Sequence, residues 1–366
     1  MTFLYILLAI FSFGMMIMIH ELGHFLVAKA CGVGIHEFSL GMGPRLVSKK
    51  GQKWHFFFSK PVRADEAVPQ LTPEGMPITE YSLRLLPIGG FVSMVGEDEE
   101  SNDPHALCNK KAWQRMLIMA AGAVMNLLLG LILTIVLVCI TPHIPSTTVD
   151  IFREGATSCD YGLQSGDVIT HVNGVRVFSG NELSYEIMYT GYKPVDLTVK
   201  RDGKILELED VIFPTEESEG IVFGVFDFYV LPEEKTPVKV LQQSFTRAAS
   251  MVKMVYDSLF DLLTGRFGLD AMSGPVGVTE GMVTAAKVGP QSFIYLVAVI
   301  TINLGVFNLL PFPALDGGRL FFLLIEAIIR RPINKNIEGY IHFAGILLLF
   351  LLMAVVLCKD IIKLLI

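Results

Sequence analysis

Four apolar stretches constrain this chain more than any other feature. Each is close to the ~20 residues a helix needs to cross roughly 30 Å of hydrocarbon. The first runs from Phe3 to Ile19 and continues past a short polar island to Ala30. The second spans 116–140, the third begins near 292 and carries its last motif to 328, and the fourth spans 341–358. Composition points the same way: 52% of the 366 residues are hydrophobic and 18% are charged, against roughly 25% charged in a soluble domain. A soluble enzyme, a disordered chain, a collagen-like fibre and a disulfide scaffold are excluded. The net charge of −7 gives no basis for a nucleic-acid partner. The five cysteines are scattered, without a CxxC pair, and read as small buried hydrophobes. The first stretch lacks the basic flank and A-x-A-like site of a signal peptide, so a retained span at 1–30 is expected.

Loop charge sets the expected orientation. Lys29, Arg45, Lys49, Lys50 and Lys53 follow the first span, Lys110, Lys111 and Arg115 precede the second, and Arg330, Arg331 and Lys335 separate the last two. Positively charged loops stay on the cytoplasmic side. Residues 141–291 hold 12 Lys+Arg against 21 Asp+Glu and are assigned outside. The expected arrangement is a multi-pass protein of the cell's inner or plasma membrane, with both termini extracytoplasmic and 31–115 a cytoplasmic loop.

At the inner end of the first span stands His20-Glu21-Leu22-Gly23-His24. Positions i and i+4 share a helix face, so both imidazoles can address one Zn2+ ion, with Glu21 beside them as general base for the water it activates. Roughly 0.01 chance matches to HExxH are expected in a chain of this composition. A polar patch facing other helices is the bland alternative. Three ionisable groups within five residues of a membrane helix are costly without a function. A third ligand is sought in Asn308-Leu-Leu-Pro311-Phe-Pro313-Ala-Leu-Asp316-Gly317-Gly318-Arg319. Both spans run inward and both motifs lie at inner ends, so Asp316 is placed at the depth of His20 and His24. Pro311 and Pro313 break the helix, which is tolerated at membrane depth only beside a cavity or packed protein. Asp316 could instead cap a helix or pair with Arg319. A structural zinc would normally have four protein ligands, and no fourth is evident, which favours an open catalytic position.

HELGH followed at a distance by N-x-x-P-x-P-x-L-D-G resembles the site-2 protease family of intramembrane zinc metalloproteases. Within it, the chain is similar to the bacterial regulator-of-sigma-E protease group, and the PIGGFV, GAVMN and SGPVG segments match as well. The resemblance implies zinc bound by His20, His24 and Asp316, Glu21 as catalytic base, and cleavage of single-span membrane proteins already trimmed by another protease. Anti-sigma factors and remnant signal peptides are substrates of that kind.

The resemblance also predicts a re-entrant β-hairpin at about 80–96, turning at Pro87-Ile-Gly89-Gly90-Phe91, whose edge would pair with unwound substrate near Gly89, Gly90 and Phe91. An ordinary cytoplasmic hairpin is the alternative. Asn126, in Gly122-Ala-Val-Met-Asn126, is expected to hydrogen-bond another helix; the family places it near the active site, and a catalytic role and helix glue both stay open. Asn308 is assigned, on the family's pattern, to substrate backbone or an oxyanion. The remaining histidines, His342 among them, read as structural.

Residues 147–231 read as β-rich. Gly162-Leu-Gln-Ser-Gly166-Asp167-Val-Ile-Thr-His-Val-Asn173-Gly174 resembles the bacterial PDZ signature, Asn-Gly closing one hairpin and Arg201-Asp202-Gly203-Lys204 suggesting another. Many family members carry two PDZ domains; here there is room for one, to bind peptide ends, filter substrate ectodomains or act as a spacer. Over 236–290 the apolar residues Leu241, Phe245, Ala248, Val252, Val255, Leu259 and Leu263 recur at helical spacing, interspersed with charges. That suits an interfacial helix on the lipid bilayer or one packed on the PDZ domain, followed by an SGPVG loop. The expected fold is therefore an α-helical polytopic membrane protein with four transmembrane helices, a re-entrant β-hairpin and one extracytoplasmic PDZ domain. Two rival functions stand beside the protease: a catalytically silent membrane-anchored PDZ adaptor, and a transporter using His20, Glu21 and Asp316, against which the absence of an internal repeat counts.

Overall fold

A backbone inside hydrocarbon must satisfy its own hydrogen bonds, so the apolar stretches form helices. The computed structural model describes residues 2–56, 71–72, 75–97, 101–218, 221–266, 268, 272–331 and 333–365. Its helices are α1 (Thr2–Ala30), α2 (Ala112–Ile140), α3 (Gly180–Thr190), α4 (Pro237–Thr264), α5 (Pro275–Val288), α6 (Pro290–Leu309), α7 (Asp316–Ile329) and α8 (Lys335–Leu365). Four of the described segments are long and apolar enough to cross a membrane: Phe3–Ala30, Ala112–Ile140, Pro290–Leu309 and Asn336–Ile362. The protein is a polytopic membrane protein. The chain divides into two compact units, Met1–Gly130 with Ser273–Ile366 and Leu131–Met272, the division falling within α2.

The third span differs from the stretch expected at 292–328. Helix α6 stops at Leu309, Leu310 turns extended (φ −65°, ψ 144°), and a new helix starts at Asp316. The cause is local: a residue before proline is pushed out of the helical region, and Pro311 and Pro313 lack the N–H that would continue it. Helices α2 and α8 also begin before 116 and 341, because polar residues prolong a helix past its apolar core. In the first unit the helices meet through glycine. A Cβ on Gly23 would overlap the Ala121 carbonyl, and one on Gly305 would stand 3.0 Å from the Ala123 carbonyl. Small residues of this kind let backbones approach where lipid supplies no hydrophobic drive.

The same unit holds the strands β1 (Ile35–Lys50), β2 (Lys53–Phe56) and β3 (Glu80–Met94), in the order β2-β1-β3. Both long strands bend, β1 at Gly41 and Gly43 and β3 at Gly89, all at positive φ. Ser39 therefore pairs with both Phe91 and Ser82, and Ser82 with both Ser39 and Ser48. The arms of the expected 80–96 hairpin do not pair directly: the first half of β1 lies between them. Glu37–Leu40 alternates polar and apolar residues and the segment Ile35–Leu40 competes for both arms, a long-range pairing that the Pro-Ile-Gly-Gly turn does not announce. Of segment 31–115, residues 57–70, 73–74 and 98–100 lie outside the described residues.

The second unit contains β4 (Ile144–Phe152), β5 (Val168–Val172), β6 (Val175–Arg176), β7 (Val195–Arg201), β8 (Lys204–Val211), β9 (Thr215–Ser218), β10 (Ile221–Gly224) and β11 (Phe228–Glu233). The main sheet runs β11-β4-β5-β7-β8, with β6 on β5 and β9–β10 as a separate hairpin. Asn173-Gly174 and Asp202-Gly203, all at positive φ, close the β5–β6 and β7–β8 turns; such dipeptides match the right-handed twist of the strands they join. Val149, Ile169, Leu183, Ile187, Leu197 and Phe228 fill the core. The strands reach beyond 147–231, since Ile144 pairs with Glu233. Helix α4 packs on α3: the Tyr185 hydroxyl donates to Asp257 at 2.8 Å, Ser250 to Glu182 at 3.0 Å, and Lys253 pairs with Glu186. Val238, Leu241, Phe245, Phe260 and Leu263 of α4 stay exposed. Segment 236–290 is thus two helices. Where SGPVG was expected to be a loop, Pro275 opens α5 at a position where its missing N–H is harmless, and the Asp360 carboxylate accepts from Gly277 N–H at 2.9 Å as a cap supplied by α8.

Candidate metal centre

Helix α1 carries His20 and His24 one turn apart, and both are buried. Asp316, the first residue of α7, meets them from the far side of the proline break. His20 Nε2 lies 3.0 Å and His24 Nε2 3.2 Å from the same oxygen, Asp316 Oδ2, and the two Nε2 atoms are 3.2 Å apart. Zinc–nitrogen and zinc–oxygen bonds of ~2.0–2.2 Å at tetrahedral angles put neighbouring ligand atoms about 3.3 Å apart. The triangle therefore has the edges of one face of a zinc tetrahedron, and among the described residues no fourth His, Cys, Asp or Glu joins it.

The chemistry of the donors supports the same conclusion. His24 Nδ1 is 2.7 Å from the carbonyl of Ile118, which only accepts, so Nδ1 carries the hydrogen. In the neutral form that a metal takes, His24 would direct its Nε2 lone pair towards the Asp316 oxygen and the second imidazole nitrogen, a set of atoms that one shared cation would satisfy. His20 is held from its other side by Asn126, whose side-chain amide is 3.2 Å from Nδ1. Ile118, Gly122 and Asn126 lie one turn apart along α2, opposite the i, i+4 pair of α1. Gly122 faces the imidazoles directly: a Cβ there would lie 2.7 Å from His20 Nε2 and closer still to His24 Nε2.

Beside the triangle, Glu21 accepts the Val92 N–H at 3.2 Å through Oε2, and a Cβ on Gly90 would stand 3.7 Å from Glu21 Cγ. The second half of β3, paired with β1 along one edge, thus turns its other edge to Glu21. Gly89 makes the bend that brings it there, and the Phe91 ring packs under the Arg84 guanidinium at 4.9 Å. Asn308 donates to the Leu304 carbonyl of its own helix at 3.0 Å and, among the described residues, makes no hydrogen bond to His20, His24 or Asp316.

The loop that delivers Asp316 is tightly wound. A Cβ on Gly317 or Gly318 would overlap the Leu310 or Phe312 carbonyl, and Ala314 sits at φ +80°. A non-glycine residue there costs of order 1–2 kcal/mol. His342 of α8 offsets it by accepting the Ala314 N–H at Nδ1, 3.0 Å away. Sequence reasoning sets His342 aside, names Gly122 only as the start of the segment that ends in Asn126, and overlooks the Ile118 carbonyl. Only the Gly122–Asn126 spacing, set against the HExxH spacing, could have pointed to the last two.

A membrane-embedded chain with an HExxH helix and a distant aspartate closing the same triangle belongs to the class of intramembrane metallopeptidases. The model of peptidase family M50 matches residues 8–60 and 67–352. A Clostridium perfringens chain is 34% identical over 360 residues, covering 98% of this chain and 99% of its own. The zinc metalloprotease RasP of Shouchella clausii is 31% identical, covering 98% of each chain, and the regulator of sigma-W protease RasP of Bacillus subtilis is 29% identical, covering 96% and 97%. This chain belongs to peptidase family M50, the site-2 proteases, in its RseP/RasP-like group. It is a zinc-dependent metalloendopeptidase that acts within membranes.

Proposed function

We propose that His20, His24 and Asp316 hold the zinc and that Glu21 is the general base of peptide hydrolysis inside the membrane. The observation that carries this is the triangle of three potential ligand atoms, 3.0–3.2 Å on each side, with Glu21 adjacent. Zinc, when bound, polarises the scissile carbonyl and brings its water's pKa towards neutrality. Glu21 takes the proton of that water and returns it to the leaving nitrogen, one of its oxygens being positioned by the Val92 N–H. The free edge of β3 beside Glu21 pairs with an extended substrate, as strand addition requires; this is the role of the re-entrant element, with Gly89, Gly90 and Phe91 shaping it. Asn308 serves substrate backbone at the mouth of the proline break.

The substrates are single-span membrane proteins shortened beforehand by another protease, anti-sigma factors or remnant signal peptides among them. The name of the Bacillus relative, a regulator of sigma-W, supports the first class. The basic loops favour a cytoplasmic face for the site, with both termini and the β-rich unit outside. That unit is read as a single PDZ domain, its signature and its two hairpin turns supporting the assignment, and it receives peptide ends or filters substrate ectodomains. The alignment with the Bacillus relative extends over 435 residues against 366 here, so that relative carries residues with no counterpart in this chain.

The test uses purified protein in detergent with a panel of single-span peptides. Glu21→Gln is expected to keep one zinc and lose cleavage, His24→Ala to lose both, and a chelator to abolish wild-type cleavage. Retained cleavage by Glu21→Gln would overturn the assignment of the base.

A further inference from the structure

The three-position match between α2 and the histidine pair leaves one atom unexplained. Asn126 is fully buried, its Nδ2 faces His20 Nδ1 at 3.2 Å, and its Oδ1 has no hydrogen-bond partner among the described residues. The two ends of a carboxamide have nearly the same shape, so which one faces the ring is decided by hydrogen-bonding demand. In the present orientation the acceptor end is the one left over. The metal sets the demand: an imidazole that gives Nε2 to a cation must carry its hydrogen on Nδ1, and that hydrogen needs an acceptor. For His24 the acceptor is the Ile118 carbonyl. For His20 the nearest candidate is the unpartnered Oδ1, brought round by a half-turn of the amide.

We propose that Asn126 is a positioning residue whose side-chain oxygen accepts the Nδ1 hydrogen of His20, fixing the tautomer that leaves Nε2 for zinc. The role rests on the zinc assignment above and adds to it. It also accounts for the GAVMN segment, in which Gly122 makes room for the rings and Asn126, one turn on, orients one of them. An alternative role as glue between helices demands only that some polar contact exist. Here the contact is directional, because the acceptor end must face the ring.

Full-length protein in detergent is loaded with zinc in competition with a chromophoric chelator, and thermal melting is recorded on the same samples. Asn126→Leu, close in size but without an acceptor, is expected to bind zinc 10- to 100-fold more weakly, the usual loss of an outer-shell partner. Asn126→Asp keeps an acceptor and discards the donor, and is expected to stay within about threefold of wild type or to bind tighter. In zinc-loaded wild type labelled with 15N-histidine, the His20 Nδ1 resonance is expected in the protonated range. His24→Ala is the control: if it retains zinc, the metal assignment itself fails. If His24→Ala loses zinc but a folded Asn126→Leu binds it normally, or Asn126→Asp loses as much as Asn126→Leu, the positioning role is overturned. An unprotonated His20 Nδ1 in the loaded protein overturns it whether or not either variant folds.

Discussion

Replacing Gly122 with alanine puts a methyl group where the two imidazoles meet. Built on the present backbone, its carbon stands 2.7 Å from His20 Nε2 and 2.8 Å from His20 Cε1, with His24 Nε2 nearer still. Comfortable contact between such atoms begins near 3.5 Å, so the His20 ring has to retreat by about 0.8 Å and the His24 ring further. Neither ring can do so cheaply. His24 is tied to the Ile118 carbonyl at 2.7 Å and His20 to Asn126, and withdrawing α1 as a whole from α2 would stretch both ties and open the close packing of Gly23 on Ala121. Zinc sites tolerate ligand displacements of about 0.2 Å, a quarter of what the methyl demands. The expected result is a loss of zinc affinity of at least ~100-fold, about 2.7 kcal/mol, on top of an overpacking cost of roughly 1–3 kcal/mol to the fold. Gly130→Ala is the matched control on the same helix: its methyl overlaps the buried Ile302 side chain two turns beyond Gly122, and is expected to destabilise the fold while leaving zinc binding intact. Elemental zinc content at graded free zinc, read beside the melting midpoint, separates the two effects. A Gly122→Ala protein that holds one zinc at wild-type affinity would refute the close-packed site.

Three further outcomes are expected. His342→Phe strands the Ala314 N–H and lowers the melting midpoint by the equivalent of ~1–3 kcal/mol, and adding Ala314→Gly, which relieves the positive φ, restores part of it; no rescue in the double variant would show that the strain argument is wrong. Gly90→Ala brings a Cβ 2.7 Å from the Ser39 carbonyl beside Glu21, and is expected to reduce peptide cleavage roughly tenfold or more while zinc stays bound, readable as kcat/KM against zinc content. Burial pushes the Glu37 carboxyl up, but hydrogen bonds from Ser82 and Arg84 and the charge of Arg45 more than reverse this and hold it below its ordinary value. A carboxyl lowered by folding contributes stability above its unfolded pKa and loses it as pH falls through the folded one. The melting midpoint should therefore fall as pH drops below about 4.5, with a shallower slope in Glu37→Gln; equal slopes would show that Glu37 carries none of it.

Much of this architecture was legible because its signals are local. An apolar run of span length forms a helix wherever it lies, Asn173-Gly174 and Asp202-Gly203 turn a chain without help, and two histidines four apart share a face by helix geometry alone. Asp316 was reachable because span direction and motif position fix depth. What escaped depends on partners distant in the chain. The bends at Gly41, Gly43 and Gly89 let Ser39 pair on both sides, and nothing near Pro87 reveals that a strand about 45 residues earlier fills the gap. Pro275 reads as a breaker and is a helix start, because its cap comes from Asp360, 83 positions away from Gly277. His342 reads as an isolated histidine until the proline break bends Ala314 towards it. Gly122 shows nothing until the rings of α1 are placed against it.

The division of labour within the site has a physical logic. Both imidazoles of the candidate metal centre are fixed by helix-to-helix contact at four-residue spacing, against Ile118, Gly122 and Asn126. The elements proposed to meet substrate are built the opposite way, from bent backbone at Gly89 and Ala314, with an edge of β3 that pairs with no other strand among the described residues. On the proposed topology that edge lies where water is scarce, and an unpaired backbone N–H there costs several kcal/mol. Glu21 satisfies one such group among the described residues, the Val92 N–H. A substrate that stays helical keeps its hydrogen bonds to itself and offers this edge nothing. A substrate that unwinds satisfies the edge and its own backbone together, so the open strand lowers the cost of the conformation that hydrolysis requires. The preference for extended over helical chain would then come from the unpaired edge rather than from the metal. Gly90→Ala is accordingly expected to penalise a peptide with a stable helix more than one already weakened by Gly or Pro at its centre. Equal losses on both peptides would assign the preference elsewhere.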